Sequence, residues 1–172
     1  MDMLSVAGQS QILTKAALAK DAGSVTTYST TGTMVYAIRG KEYSKAAVTN
    51  GTTPTTDVNT GVAFVPLAAN QGTVFLWMIN AAGTVAVAQG LVSPGYPYGW
   101  PLDSAGNFQA GQYGGAPNFP PIADGYVPFA YQIIKNGSTG SSWTFGSSNW
   151  NATGITSAIQ DITTLPDRPQ IS

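Results

Sequence analysis

The sequence lacks two residue types on which most active sites depend. Its 172 residues include no histidine and no cysteine, and only 9% of them are charged. Histidine and cysteine change protonation state or bind metals near neutral pH, so their absence excludes a Ser-His-Asp triad, a Cys-His pair and cysteine-based metal sites. A disulfide framework is excluded as well. This composition predicts a protein that is not an enzyme, holds no metal and no cofactor, and acts through its surface.

Net charge is also scarce, at −1 for the whole chain. Broad electrostatic binding of nucleic acid needs clustered Lys and Arg, so we expect no nucleic-acid partner. A nearly neutral surface is easier to keep in solution when a partner covers much of it, which favours assembly. No basic segment followed by an apolar run opens the sequence, and no apolar run is long enough to cross a bilayer. We therefore expect neither a signal peptide nor a membrane partner.

What the chain does contain is a series of short runs rich in Thr, Val and Tyr, separated by turn residues. Such runs predict an all-β protein, an antiparallel β-sandwich or jelly roll. One hairpin is predicted to turn near Gly40, and a second joins strands at 73–80 and 84–89. Further strands are predicted at 126–135, 142–145 and 156–164. The length suits one domain with a core large enough to fold without metals or disulfides.

The N-terminal segment has a different character. Residues 9–20 have the best helical propensity of the chain, Ser10 is able to cap a helix, and Ile12 and Ala16 begin an apolar stripe at helical spacing. We predict an N-terminal helix or arm over residues 1–23 and a β-sandwich domain over 24–172. A helix would close one end of the sandwich, whereas an extended arm would grip a neighbouring molecule.

Residues 93–125 are rich in proline, glycine and aromatic side chains and nearly devoid of charge. They predict a long loop that wraps an edge of the domain or lies against another chain, because its aromatic residues need a surface to pack on. The tail at 165–172 is expected to reach a neighbour. The loop residues predicted to bind a partner are Tyr96, Tyr98, Trp100, Tyr113 and Phe119.

Two other interpretations of the loop stay open at this stage. Its exposed Tyr and Trp residues would suit a carbohydrate-binding module, since aromatic rings stack on apolar sugar faces. Asp103 and Asp124 would be the carboxylate pair of a glycosidase. Both aspartates also fit ordinary Asp-stabilised turns, and this interpretation is favoured.

The basic residues are unevenly distributed along the sequence. Five of the seven lie between positions 15 and 45. They form either a solvated face or a surface that docks on an acidic partner, where charge complementarity would set the register. The basic residues predicted to bind a partner are Lys15, Lys20, Arg39, Lys41 and Lys45, with Arg168 in the tail.

Several phrases of the sequence are similar to those of a known group of proteins. They are IRGKEYSKAA at 38–47, LAANQG at 67–72, NAAGTV at 80–85, and WTFGSSNWNATG at 143–154 with LPDRP at 165–169. These stretches resemble virion structural proteins of tailed bacteriophages, in particular capsid cement or decoration proteins, over most of the chain from about residue 25.

The resemblance implies a β-rich protein made in the host bacterial cytoplasm and placed on the outer capsid surface of the virion. Its implied partners are the major capsid protein, whose subunits it would bridge, and neighbouring copies of itself. A tail or fibre component of the virion is the alternative. Binding the assembled shell would stabilise it by mass action.

Overall fold

The computed structural model describes residues 9–21, 26–92 and 118–166. Within them the chain forms ten β-strands and no helix, and no helix long and apolar enough to cross a membrane is found there. The strands form one four-stranded and two three-stranded sheets, and every strand pairing is antiparallel. The strands are β1 (Gln11–Ile12), β2 (Leu18–Lys20), β3 (Thr27–Thr30), β4 (Met34–Ile38), β5 (Lys41–Lys45), β6 (Gly51–Thr52), β7 (Gly72–Asn80), β8 (Val85–Gln89), β9 (Tyr126–Asn136) and β10 (Ile155–Asp161).

The four-stranded sheet, in the order β10-β9-β7-β8, is the centre of the molecule. Its strand β7 is buried on both faces: Phe75 and Trp77 belong to one hydrophobic cluster, and Val74 and Leu76 belong to another. Successive side chains of a strand point to opposite faces, so a run of apolar residues is what a strand covered on both sides requires. The predicted hairpin between β7 and β8 is confirmed, with Gly83 at φ +76° in its turn.

The two smaller sheets, β1-β4-β5 and β2-β3-β6, contribute to the cluster on one face of the central sheet. Tyr28 of β3 meets Trp77 edge-on at 5.1 Å between ring centroids. Met34 and Tyr36 of β4 are buried in the same cluster. The predicted all-β antiparallel class is confirmed, and the layering of sheets over a shared core is sandwich-like.

Segments outside the strands complete this core. The predicted strand at 142–145 is wrong, because Trp143 forms only an isolated bridge with Leu67. Phe145, which is fully buried, instead lies at the centre of an aromatic cluster. The rings within 4.2–6.2 Å of its ring centroid are Phe64, Phe75, Trp77, Trp143 and Trp150.

Of the two forms predicted for the N-terminal segment, a helix or an extended arm, the helix over residues 9–20 is wrong. This segment is extended and contains β1, which pairs with β4, and β2, which pairs with β3. Ala17 between them has φ +49°, which a right-handed helix does not allow. Ile12 and Leu18 are buried in the main core. Helical propensity is a weak preference, and here strand pairing and burial of these side chains override it.

The second face of the central sheet is covered by short, irregular stretches. Phe119 packs edge-on against Tyr131 of β9 at 5.1 Å between ring centroids, and Ile162 is buried in the same cluster. The described end of the predicted long loop, residues 118–125, therefore packs on the domain's own sheet. Residues 93–117 of that loop lie outside the described residues.

Candidate interaction surface

The hairpin of β4 and β5 carries three of the predicted partner-binding residues. Its two-residue turn consists of Arg39 at φ +50° and Gly40 at φ +77°, the conformation of a type I′ turn. The Arg39 N–H donates a hydrogen bond to the Ser10 hydroxyl at 3.1 Å, and the Gly40 N–H donates one to the Gln9 carbonyl at 3.1 Å. The extended N-terminal segment thus supports a turn that is costly for a residue with a side chain. The hairpin predicted near Gly40 is confirmed.

The register of this hairpin fixes which backbone groups of β5 face outward. Ile38 pairs with Lys41 directly across the turn, so this pair and every second pair after it exchange hydrogen bonds within the hairpin. The N–H of Leu13 donates to the carbonyl of Val35, which confirms that alternate residues of β4 face β1 instead. Lys41, Tyr43 and Lys45 therefore bond to β4, while the N–H and C=O groups of Glu42 and Ser44 point away from the sheet.

The side chains of alternate β5 residues build a basic and aromatic surface. The ammonium of Lys41 lies 5.4 Å from the ring centroid of Tyr43, within range of a cation–π interaction. The ring of Tyr43 stacks on that of Tyr36 at 5.7 Å and 21° between planes. The Tyr36 hydroxyl donates a hydrogen bond to the carbonyl of Asn80 at 3.0 Å. Burial, and to a lesser extent Tyr43, raises the pKa of Tyr36, so this hydroxyl stays protonated and keeps its bond.

Lys45 extends the same surface toward the turn between β7 and β8. A Cβ placed on Gly83 would lie 3.4 Å from Cδ and 3.8 Å from Nζ of Lys45. The Lys45 side chain therefore packs against Gly83, a residue of the turn that has no side chain of its own. We call the face formed by Lys41, Tyr43 and Lys45, which is backed by the buried ring of Tyr36, the hairpin face.

The other predicted basic residues lie elsewhere. Lys15 is next to Asp161, whose carboxyl pKa is raised by burial and lowered less strongly by its hydrogen bond from the Leu18 N–H and by the charge of Lys15. Lys20 is exposed on β2, opposite Tyr28 of β3. The structure thus brings Arg39, Lys41 and Lys45 together on one hairpin and leaves Lys15 and Lys20 on other elements.

The loop and tail residues are only partly described. Phe119 packs on the central sheet, as given above. The remaining predicted residues lie outside the described part of the chain; they are Tyr96, Tyr98, Trp100, Tyr113 and Arg168. Of the proposed carboxylate pair, Asp124 is exposed and Asp103 lies outside the described residues. Among the residues that are described, no three acidic side chains gather where they could hold a metal ion.

A groove of about 560 Å³ lies between β8 and the stretch around Phe119. Asp57 lines this groove. Its carboxylate accepts hydrogen bonds from the backbone N–H groups of Asn59 at 2.7 Å, Thr60 at 3.2 Å and Gln89 at 2.7 Å. Both oxygens are therefore engaged in holding a loop against β8, which is a structural role.

Two features of the hairpin face were missed in the sequence. Tyr43 was not among the predicted partner-binding residues, and neither were the outward backbone groups of Glu42 and Ser44. The signal was present, because a turn at Gly40 places positions 41, 43 and 45 on one side of a strand. Which strand would be left at the edge of a sheet is set by distant pairings that the sequence does not display.

Comparison with protein-family models, curated proteins and solved structures finds no match to this chain. What the described residues define is an all-β protein with antiparallel sheets and a basic, aromatic face on an exposed hairpin.

Proposed function

We propose that this chain is a structural binding protein that docks through the hairpin face on an acidic protein surface. More specifically, we propose a capsid cement protein of a tailed bacteriophage, which binds the outside of the shell and bridges major capsid subunits. The observation that carries the docking proposal is the hairpin face itself, in which Lys41 and Lys45 flank Tyr43 on one side of an edge strand. Tyrosine is enriched in protein interfaces, and the exposed lysines beside it supply charge that attracts an acidic partner.

Composition supports a role without catalysis. The chain has no histidine or cysteine, and the engaged carboxylate of Asp57 is bound by three backbone N–H groups. The choice of a phage capsid as partner rests on the resemblance of sequence phrases described above.

Binding of this kind stabilises a shell by mass action. A protein that binds only the assembled shell stabilises it by about 2.7 kcal/mol per site when its free concentration is a hundredfold above Kd. Many copies on one particle add such contributions, so each contact needs only modest affinity. Charge pairs at the rim would mainly set orientation and the rate of association.

The proposal is tested with undecorated, expanded capsids of the phage that encodes the chain. Purified protein should co-sediment with the capsids and raise the temperature at which they release DNA. The double variant Lys41→Glu/Lys45→Glu should bind at least about tenfold more weakly, because it places like charges against an acidic surface. Lys20→Glu reverses one charge on a different sheet, the same change in net charge as the single variant Lys41→Glu, and should bind as the unmodified protein does. Absence of co-sedimentation of the unmodified protein would refute the capsid role.

A further inference from the structure

We infer that the edge of β5 accepts an extended, acidic segment of the partner protein as an added β-strand. This inference deepens the proposed function, on which it rests, by assigning the form and chemistry of the partner segment at the hairpin face. Strand addition to an exposed sheet edge is a general way of binding a peptide, in which backbone hydrogen bonds give affinity and alternate side chains give selectivity.

The protein covers its other long sheet edges. The edge of β8 is blocked by residues 57 and 58, since the Asp57 carboxylate accepts the Gln89 N–H at 2.7 Å and the Val58 N–H donates to the Val87 carbonyl at 3.0 Å. The edge of β10 lies against β2, and all seven of its residues are half-buried. Proteins cover edges in this way because unpaired strands invite association.

The edge of β5 carries no such cover among the described residues. Glu42 and Ser44 are both exposed. Their outward N–H groups donate no hydrogen bond to any described part of the chain, and their outward C=O groups accept none from it. Because Glu42 and Ser44 are two residues apart, each of them is placed to exchange a pair of backbone hydrogen bonds with an incoming antiparallel strand. Residues 9–21, 26–92 and 118–166 thus leave this edge open, and it is longer than the two- and three-residue edges of β1, β2 and β6.

Charge decides which strand fits. A second copy of β5 pairing antiparallel about Tyr43 would place Lys41 directly opposite Lys45 at two positions, and like charges in such pairs are destabilising. An acidic segment would place carboxylates opposite the same two lysines and gain from both. The lysines therefore act against self-association and in favour of an acidic partner strand.

The expected partner segment has a simple pattern. Lys41 and Lys45 are four residues apart, about 13 Å along a strand. A partner strand in register would carry acidic residues four positions apart, with an aromatic or aliphatic residue midway to pack against Tyr43. Each opposite-charge pair contributes a few tenths to about 1 kcal/mol, so such a pattern selects register more than it supplies affinity.

The test uses the full chain and an acetylated, amidated peptide of sequence STETYTETS, with TSTEEYTTS as a control of identical composition. Amide hydrogen exchange measured by NMR reports the two outward N–H groups directly. In the free protein the Glu42 and Ser44 amides should exchange fast, and those of Tyr43 and Lys45 slowly. With the first peptide at about ninefold its Kd, exchange at Glu42 and Ser44 should slow about tenfold, because about one site in ten stays free.

Ser44→Pro removes an outward N–H that the hairpin itself does not use, a position where an edge strand tolerates proline. This variant should lose the slowing of exchange at Glu42, whereas Ser44→Ala should keep it. Peptide binding without slower exchange at Glu42 and Ser44, or equal slowing by the control peptide, would overturn strand addition. These measurements on the unmodified chain decide the matter even if Ser44→Pro fails to fold. They need no capsid, so a negative capsid result with a positive peptide result would refute only the capsid role.

Discussion

Replacing Phe145 by alanine is the sharpest test of how this core is built. The ring is fully buried, and its centroid lies 4.2 Å from that of Phe75 and 4.9 Å from that of Phe64. Truncating a buried phenylalanine to alanine lowers the free energy of unfolding by about 3–5 kcal/mol. Each aromatic pair contributes about 0.5–1.5 kcal/mol beyond the area it buries. With five ring neighbours, we expect Phe145→Ala to lie near the upper end of that range, at about 5 kcal/mol.

The loss should be measured by urea unfolding followed by tryptophan fluorescence. Trp77, Trp143 and Trp150 all surround Phe145, so the signal reports the core directly. For a chain of this length, a loss of about 5 kcal/mol corresponds to a fall in Tm of about 10–20 °C. Leu91→Ala is the control, because Leu91 is 83% exposed and its truncation should change stability by less than about 0.5 kcal/mol. A loss below about 1.5 kcal/mol for Phe145→Ala would refute the placement of residues 141–150 in the core, since well-packed sites cost more.

Three further results are expected. Burial raises the pKa of Asp161, so the stability that this group contributes is fully present below its ordinary pKa and is lost as pH rises through the pKa of the folded state. Asp161→Asn should remove this dependence of the free energy of unfolding on pH, measured by urea unfolding between about pH 3 and 7. Gly146→Ala should destabilise the protein by about 2 kcal/mol or more in the same assay, because φ is +71° and a Cβ would collide with the Pro54 carbonyl oxygen. Lys45→Glu should promote dimers, measured by sedimentation velocity, because antiparallel pairing of two β5 edges then places Lys41 of one copy opposite Glu at position 45 of the other. A variant that stays monomeric would contradict the inference that the two lysines prevent self-association.

The strand pattern and the hairpins were predictable from the sequence, because their signals are local. The Arg39-Gly40 turn lies between two alternating runs, and the run before Asn80 is followed by a turn that ends in Gly83. Each needs only a few neighbouring residues to specify it. The prediction for 126–135 succeeded for the same reason, since β9 spans Tyr126–Asn136.

The failures share a different cause. The segment at 9–20 has good helical propensity, but its pairing partners lie in β3 and β4. The stretch around Trp143 has strand-like composition, but it serves the core by filling space between aromatic rings. Both outcomes depend on tertiary contacts that outweigh local preference. The open edge of β5 is of this kind as well, since only the complete sheet order shows that no strand follows it.

The hydrogen bond from the Leu18 N–H to the Asp161 carboxylate, 3.1 Å long, joins residues 143 positions apart. A second bond, from the Trp150 indole to the Thr27 carbonyl, spans 123 positions. The first cannot form until residue 161 has left the ribosome, and the second needs residue 150. The contacts that join residues 18 and 27 to residues 161 and 150 therefore form late, and long-range contacts of this kind place all-β topologies in the slow regime of folding, milliseconds to seconds. Until residue 161 has emerged, β2 lacks its neighbour β10, so this is the interval of greatest risk of aggregation.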